Sequence, residues 1–203
     1  ILHGEGGEDG VIQKELEKRN LAYLGSDSDS SISCFNKWKT HEQLVARGVS
    51  MPAGARVTER TYRTEQLAKQ AHVLKVLHGG SSIGTLIVRN PSTTTPKFEE
   101  LFRLENDAIL EKLIEGVELT VSILDKQALP IIEIVPPANG EFDYENKYNG
   151  QTKEICPPKS ITPQIQNKAQ RLAEKVHKIM GCRHLSRVDI MIDRIGNLFV
   201  LEI

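Results

Sequence analysis

Apolar residues recur along this chain at two different spacings, which predicts a mixture of helices and strands. Helical spacing covers five segments: 8–20, 30–47, 63–70, 97–105 and 162–180. In the first segment Val11, Ile12 and Leu16 share one face, with acidic residues before them and basic residues after them, as the helix dipole favours. Gly48 ends the second segment, and the last segment is the longest predicted helix.

Strand-like runs occupy eight segments: 53–57, 72–78, 85–89, 108–114, 117–124, 128–135, 183–193 and 197–203. The early runs and the helices around them predict a small α+β unit, whereas the longer runs from 107 onward predict a larger sheet. The loop at 136–160 is rich in Pro, Asn, Gly and Tyr, and function or disorder best explains its length. The expected fold class is therefore α/β, with helices and strands in the α+β arrangement.

Composition places the chain among ordinary globular proteins that bind small molecules. Of its 203 residues 39% are hydrophobic and 26% charged, and the net charge of -1 gives no electrostatic signal for nucleic acid or for a membrane surface. The sequence contains neither an apolar run of the roughly 20 residues that span a bilayer nor a signal-peptide pattern. We expect a cytoplasmic protein whose cysteines, Cys34, Cys156 and Cys182, are reduced thiols without zinc or redox spacing.

The last two strand patterns predict a hairpin that brings two carboxylates together. A two-residue loop at 195–196 sets Asp189 opposite Glu202, with Arg187 on the same side. The same register forms an apolar face from three pairs: Val188 with Ile203, Ile190 with Leu201, and Ile192 with Phe199. Two facing carboxylates destabilise a sheet unless a cation lies between them, and Mg²⁺ combines such ligands with substrate phosphates. The alternative is an exposed strand face with incidental charge.

A glycine-rich loop at 78–84 lies between two predicted strands, where backbone N–H groups and hydroxyls could surround a phosphate. It is not a Walker loop, because the G-K-[ST] ending and the following helix are missing, and a flexible turn is the alternative. Lys75 lies inside the apolar run 73–77, so it needs an anionic partner or must reach solvent. Lys37 and Lys39 flank Trp38 on a helix, where either lysine alone would indicate a solvated face.

Five motifs follow one another in a recognisable order: L-H-G-E-G-G-E-D-G at 2–10, G-G-S-S-I-G at 79–84, E-K-L-I at 111–114 with Glu118, D-Y-E-N-K-Y at 143–148, and R-V-D at 187–189 with L-E at 201–202. In this order they resemble the D-alanine:D-alanine ligase family of the ATP-grasp superfamily, which joins two D-alanines for peptidoglycan synthesis. The resemblance spans nearly the whole chain. It implies an ATP-grasp fold with two α+β subdomains that sandwich ATP, beside a remnant of an N-terminal Rossmann-like domain.

The resemblance also implies a division of the chain and a role for individual residues. The expected parts are a partial N-terminal substrate domain at 1–36, a central subdomain with the lid loop at 37–106, and a C-terminal subdomain at 107–203. The residues implied around ATP are Lys37, Lys75, Ser81 and Ser82 at the phosphates, Glu111, Lys112 and Ile114 at the adenine, Glu118 at the ribose, and Lys147 at the γ-phosphate. Asp189 and Glu202 would hold two Mg²⁺ ions, with Mn²⁺ as an alternative metal.

For catalysis the resemblance implies Arg187 at the acyl phosphate and the tetrahedral intermediate, Ser81 in the lid, Tyr148 in the choice of an amide product, and His3 and Glu8 at the first D-alanine. Gly-rich turns before helices often carry an exposed His and a first-turn Glu, so the last two residues have an ordinary structural alternative. The resemblance further implies D-alanine as substrate and a homodimer as the assembly.

Several departures limit the comparison with the family. Val76 and Phe142 stand where the family usually has Pro and Tyr. The chain begins at Ile1 without Met and stops on an apolar run, so we expect a fragment that lacks the next family residue, an Asn at position 204. Three alternatives therefore remain: a nucleotide-binding protein without catalysis, a fragment that does not fold stably, and an ATP-grasp ligase with another acceptor.

Overall fold

The computed structural model describes residues 2, 4–80, 83–92, 96–137 and 152–203. The helices of this part are α1 (Val11–Lys18), α2 (Ser28–Phe35), α3 (Lys37–Ala46), α4 (Glu59–Tyr62), α5 (Pro96–Leu104) and α6 (Pro163–Ile179), with a 3-10 turn at Leu67–Lys69. The strands are β1 (Gly54–Thr58), β2 (His72–Val76), β3 (Thr85–Val88), β4 (Asp107–Lys112), β5 (Gly116–Leu124), β6 (Gln127–Ala128), β7 (Ile132–Val135), β8 (Lys153–Ile155), β9 (Leu185–Asp193) and β10 (Leu198–Glu202).

The strands form two antiparallel sheets, which confirms the predicted mixture of helices and strands. The smaller sheet has the order β1-β4-β2-β3, and the larger has the order β10-β9-β5-β7-β8 with β6 beside β5. The expectation that the larger sheet begins at 107 is wrong, because β4 pairs with β1 and β2. The chain passes between the sheets from Lys112 to Gly116. The division into three parts stays a prediction.

Each sheet buries one face against a helix. In the larger sheet Leu119, Val121 and Ile190 are fully buried and pack against α6. The residues of α6 at this contact are small, Ala169 and Ala173. In the smaller sheet the core is formed with α5 by a separate cluster: Leu74, Ala108, Leu110, Leu101 and Phe102. Full burial of each large apolar side chain contributes roughly 1.5–3 kcal/mol, so these faces determine how both sheets are oriented. The opposite face of the larger sheet carries polar residues along β5 and β9.

The predicted helix at 30–47 is two helices, because Asn36 interrupts it. Asn36 is extended, with φ -102° and ψ 105°, and its Oδ1 accepts a hydrogen bond from the N–H of Lys39 at 2.9 Å. Asn is a preferred residue for starting a helix in this way. The N–H of Lys37 then donates to the Leu77 carbonyl at 2.8 Å, which fixes the start of α3 beside the end of β2.

The predicted helix at 63–70 is also misplaced. The helix lies earlier, at Glu59–Tyr62, because Thr58 and Thr61 cap its start reciprocally through side-chain and backbone bonds. Only the 3-10 turn Leu67–Lys69 falls inside the predicted range. Within the residues that the structure describes, no helix combines the length and hydrophobicity needed to cross a membrane.

The terminal hairpin has a different register from the predicted one. Asp193 donates its N–H to the Asn197 carbonyl at 3.0 Å, and Gly196 has φ +90°, so the loop holds three residues and ends in a left-handed glycine. The observed pairs are Ile192 with Leu198, Met191 with Phe199 and Ile190 with Val200. The predicted pairs Ile190 with Leu201 and Ile192 with Phe199 are therefore wrong by one residue, whereas the pair Val188 with Ile203 stays a prediction. A β-bulge between Val200 and Glu202 then sets Glu202 opposite Asp189, so that prediction is confirmed.

Candidate functional site

Strands β5 and β9 carry polar side chains on the face opposite the α6 core. Glu118, Thr120 and Ser122 alternate with buried residues along β5, and β9 sets Asp189 opposite Thr120 and Arg187 opposite Ser122. These residues line a cleft of about 1030 Å³, which Glu202 and the glycine loop also line. The larger sheet therefore forms a polar wall of this cleft.

Asp189 is held by three donors. Thr120 Oγ1 donates to its Oδ1 at 2.7 Å, and Arg187 donates from Nε and Nη2 to its two oxygens at 3.2 and 3.1 Å. The charge of Asp189 raises the pKa of Arg187 above its ordinary value, and Glu202 and Glu8 add to this effect against the opposing effect of burial. A carboxylate offers about four acceptor positions, so Asp189 keeps one for a further ligand.

Lys37 connects three elements at the edge of the cleft. Its side chain is 9% exposed, its Nζ donates to the Gly79 carbonyl at 2.6 Å, and the Nζ lies 3.6 Å from Oε1 of Glu202. Burial lowers the pKa of Lys37, the charge of Lys75 lowers it further, and Glu202 opposes both. A phosphate placed here would add negative charge beside a buried ammonium group whose carboxylate partner, Glu202, is 3.6 Å away.

Lys75 has the anionic partner that the sequence predicts, and this partner is a carboxylate. Its Nζ lies 2.7 Å from Oε2 of Glu111, and the two side chains are 14% and 3% exposed. Burial would lower the pKa of Lys75, but the charge and hydrogen bond of Glu111, with the charges of Glu202 and Glu118, raise it. Because Glu202 and Glu118 belong to the larger sheet, the two sheets face each other across the cleft.

The glycine loop is fixed at both ends. Gly84 has φ +68° and accepts a bond from the N–H of Val76 at 3.0 Å, and a Cβ at Gly84 would lie 2.8 Å from the Val76 side chain. Only glycine fits that position without strain. The predicted phosphate contacts Ser81 and Ser82 lie outside the described residues.

A hydrogen-bonded chain that the sequence did not indicate holds the start of the same loop. Asn36 Nδ2 lies 2.8 Å from His78 Nε2, and His78 Nδ1 lies 2.8 Å from Oε1 of Glu105. Because the Oδ1 of Asn36 already accepts from Lys39, its amide group donates to Nε2, and Nδ1–H of His78 donates to Glu105. The loop, α3 and the end of α5 are therefore joined at His78.

The predicted adenine-binding segment begins at the end of β4 and runs to Ile114. Lys112 donates its N–H to Ala53 at 2.8 Å and Leu113 donates to Ala71 at 3.2 Å, which ties this segment to its neighbours. Ile114 makes no backbone–backbone hydrogen bond with the residues that the structure describes, so its peptide groups are available to a base edge. The adenine contacts of Glu111, Lys112 and Ile114 stay predictions, and Glu111 is engaged with Lys75.

The N-terminal turn reaches the same cleft. Glu8 lines the cleft, accepts a hydrogen bond from the N–H of Gly4 at 2.8 Å, and contributes to the raised pKa of Arg187. His3, Lys147 and Tyr148 lie outside the described residues, so the structure does not locate them. Their roles stay predictions.

A buried acid anchors the chain that leads into α6. Glu133 is 3% exposed on β7 and accepts bonds from the N–H groups of Lys159 and Ser160 at 2.8 and 3.0 Å, and from the Ser160 hydroxyl. Burial would raise the pKa of Glu133, but these hydrogen bonds lower it. A Glu inside the apolar run 128–135 was the available signal, and it was missed.

Comparison with known proteins agrees with this geometry. Residues 55–203 match the family model described as D-ala D-ala ligase C-terminus. The chain is 35% identical over 206 residues to the D-alanine--D-alanine ligase of Geobacter sulfurreducens, covering 100% of this chain and 64% of that protein. It is 35% identical over 212 residues to the Haemophilus influenzae enzyme of the same name, covering 100% of this chain and 70% of that protein.

Solved structures give the same result. The crystal structure of D-alanine--D-alanine ligase from Bacillus anthracis matches with a TM-score of 0.83 and 30% identity, covering 99% of this chain and 66% of that one. The same enzyme complexed with ATP matches with a TM-score of 0.80 and 27% identity, covering 99% of this chain and 65% of that one. Two facing α+β units with lysines and carboxylates at their cleft define an ATP-grasp protein. The chain belongs to the D-alanine:D-alanine ligase family, and it spans 64% of the length of the Geobacter relative.

Proposed function

We propose that this chain is the ATP-binding and metal-holding part of a ligase that joins two D-alanines through an acyl phosphate, for peptidoglycan synthesis. One observation carries the proposal: the charge of Glu202, which pairs with Asp189 at the cleft, acts on two buried lysines, Lys37 and Lys75. Cations of this kind bind phosphates, and the carboxylates suit the metal that accompanies them. A cytoplasmic homodimer is proposed on family likeness alone.

The residues at the cleft fit Mg²⁺ in the form that nucleotide enzymes use. Asp189 retains one acceptor position, and the Glu202 side chain is 34% exposed toward the cleft. Among the described residues no three His, Cys, Asp or Glu side chains form a metal-binding group, so phosphate oxygens would complete the coordination. Bound Mg²⁺ would neutralise the charge on the β- and γ-phosphates during transfer.

The chain's own residues would act in two steps. First, a D-alanine carboxylate oxygen attacks the γ-phosphorus of ATP, and ADP leaves; Lys37 and Lys75 hold the phosphates for this attack. Second, the amine of another D-alanine attacks the acyl carbon, and inorganic phosphate leaves. Arg187, oriented through two bonds to Asp189, would stabilise the oxygen that gains charge at that carbon. The glycine loop would keep water from the acyl phosphate.

The test compares two lysines of one helix in an assay of phosphate release with ATP and D-alanine. We expect Lys37→Ala to lower the rate by about 10²-fold, as loss of one electrostatic contact does, and Lys39→Ala to leave it within about twofold. ATP binding without D-alanine-dependent phosphate release would instead support the nucleotide-binding protein without catalysis. Release that depends on another acceptor, such as D-serine or D-lactate, would support the ligase with a different specificity.

A further inference from the structure

A second cluster lies away from the phosphates, where the N-terminal segment meets the turn after α6. Three hydrogen bonds join these segments. Ser30 Oγ donates to the Gly181 carbonyl at 3.0 Å, the N–H of Arg183 donates to Ser26 Oγ at 3.1 Å, and the N–H of Gly25 donates to His184 Nδ1 at 3.0 Å. The backbones of 25–30 and 181–184 are therefore fixed relative to each other.

Two cysteines lie at the centre of this contact. The Sγ atoms of Cys34 and Cys182 are 3.7 Å apart although the residues are 148 positions apart in sequence. Both are partly buried and both line the cleft, so a small molecule in the cleft can reach them. The third cysteine, Cys156, is exposed.

We propose that Cys34 and Cys182 are a dithiol pair that a small-molecule disulfide oxidises to an intramolecular disulfide. The sulfur atoms must approach by about 1.7 Å to reach the disulfide bond length, which side-chain rotation can supply when the backbones on both sides are already held. The pair has no place in the proposed ligase chemistry.

The exchange balances without any further reactant. The Cys182 thiolate attacks one sulfur of the oxidant RSSR, which forms a mixed disulfide and releases RS⁻. The Cys34 thiolate then attacks the Cys182 sulfur and releases the second RS⁻. The protein loses two thiol protons and two electrons, and RSSR becomes two RSH. The contact between the two thiols lowers the pKa of Cys182 and, with burial, raises that of Cys34, so Cys182 makes the first attack and Cys34 loses its proton to solvent only in the second.

The bond would fasten the N-terminal segment to the larger-sheet half of the molecule. Cys34 lies at the end of α2, two residues before Asn36, which starts the helix of Lys37. Cys182 lies just before β9, which carries Arg187 and Asp189. Oxidation would therefore restrict the motion of α2 relative to β9.

The experiment uses Cys156→Ser protein, which retains only the proposed pair, incubated with oxidised glutathione and then labelled with maleimide under denaturing conditions. We expect a mass loss of two hydrogens, no maleimide label, and a peptide containing Cys34 linked to one containing Cys182. Closing so long a loop should raise the melting temperature by about 10 °C, and reduction should reverse the rise.

The matched control adds Cys34→Ser to the same background. It should give only a glutathione adduct at Cys182 and no rise in melting temperature, and Cys182→Ser serves the same purpose if the first variant does not fold. Glutathione adducts, covalent dimers or unmodified thiols as the final state of the Cys156→Ser protein would overturn the proposal. None of these readouts requires ATP or D-alanine, so loss of the proposed ligase function would leave the result unaffected.

Discussion

The two buried lysines of the cleft are held in different ways. Lys75 has its partner Glu111 within the smaller sheet at 2.7 Å, whereas Lys37 reaches across the cleft to Glu202 at 3.6 Å and otherwise relies on a backbone oxygen. The pKa of Lys75 is raised and that of Lys37 is lowered. The charge of Lys75 is thus balanced by Glu111 within the same sheet. The charge of Lys37 depends on Glu202 of the larger sheet and on the negative charge of a bound ligand.

The largest expected effect comes from removing the partner of Lys75. Glu111→Ala leaves a buried ammonium group without a counterion, so we expect the free energy of unfolding to fall by about 3–5 kcal/mol in urea denaturation. Lys112→Ala, at the exposed neighbouring position, should change it by less than about 0.5 kcal/mol. If Glu111→Ala behaves like that control, the Lys75–Glu111 pair is not a buried one in solution.

The second effect separates function from stability at Lys37. Glu202→Gln removes the charge across the cleft but keeps the side-chain shape, so we expect phosphate release to fall by about 10²-fold while the free energy of unfolding changes by less than about 1 kcal/mol. Glu115→Gln removes an exposed carboxylate beside Arg194 and should change neither quantity measurably. A rate that survives Glu202→Gln would refute the metal role of Glu202.

A smaller effect concerns the loop that supplies the backbone partner of Lys37. His78→Leu removes the bonds to Asn36 and Glu105, each worth about 1 kcal/mol, so the loop should lose its fixed start. We expect the KM for ATP to rise by about five- to tenfold with kcat within about twofold. An equal loss in Arg103→Leu, which breaks only an exposed pair with Glu99, would show that the effect is not specific to the loop.

The smallest effect is a difference in titration between the two lysines. Lys75 has a raised pKa, so its charge adds stability that is lost as the pH rises above 10.5 through the folded value. Lys37 has a lowered pKa, so the unfolded chain binds more protons below 10.5 and stability rises with pH in that window. NMR of ¹³C-methylated lysines should show Lys37 titrating below 10.5 and Lys75 above it; the reverse order would contradict the comparison.

Much of the site follows from the sequence, because its residues lie in short motifs on regular elements. Arg187 and Asp189 alternate with core residues along β9, so their shared face could be predicted, and Lys75 lies between buried residues of β2 in the same way. The chain Asn36–His78–Glu105 could not, because its members come from three separate elements and none has unusual neighbours in sequence. For the same reason the contact between Cys34 and Cys182 became visible only in the fold.

The bulge before Glu202 has a consequence for the phase of the last strand. Val200 is fully buried, so strict alternation would turn residue 202 toward the same core. The extra residue shifts the alternation by one position, and Ile203 packs against the core instead while Glu202 pairs with Asp189. A deletion of Leu201 would remove the extra residue of the bulge. Glu202 would then still face Asp189 only if regular alternation continued directly from Val200. Glu202, the proposed metal ligand, lines the cleft because the alternation of the strand shifts by one residue between Val200 and Glu202.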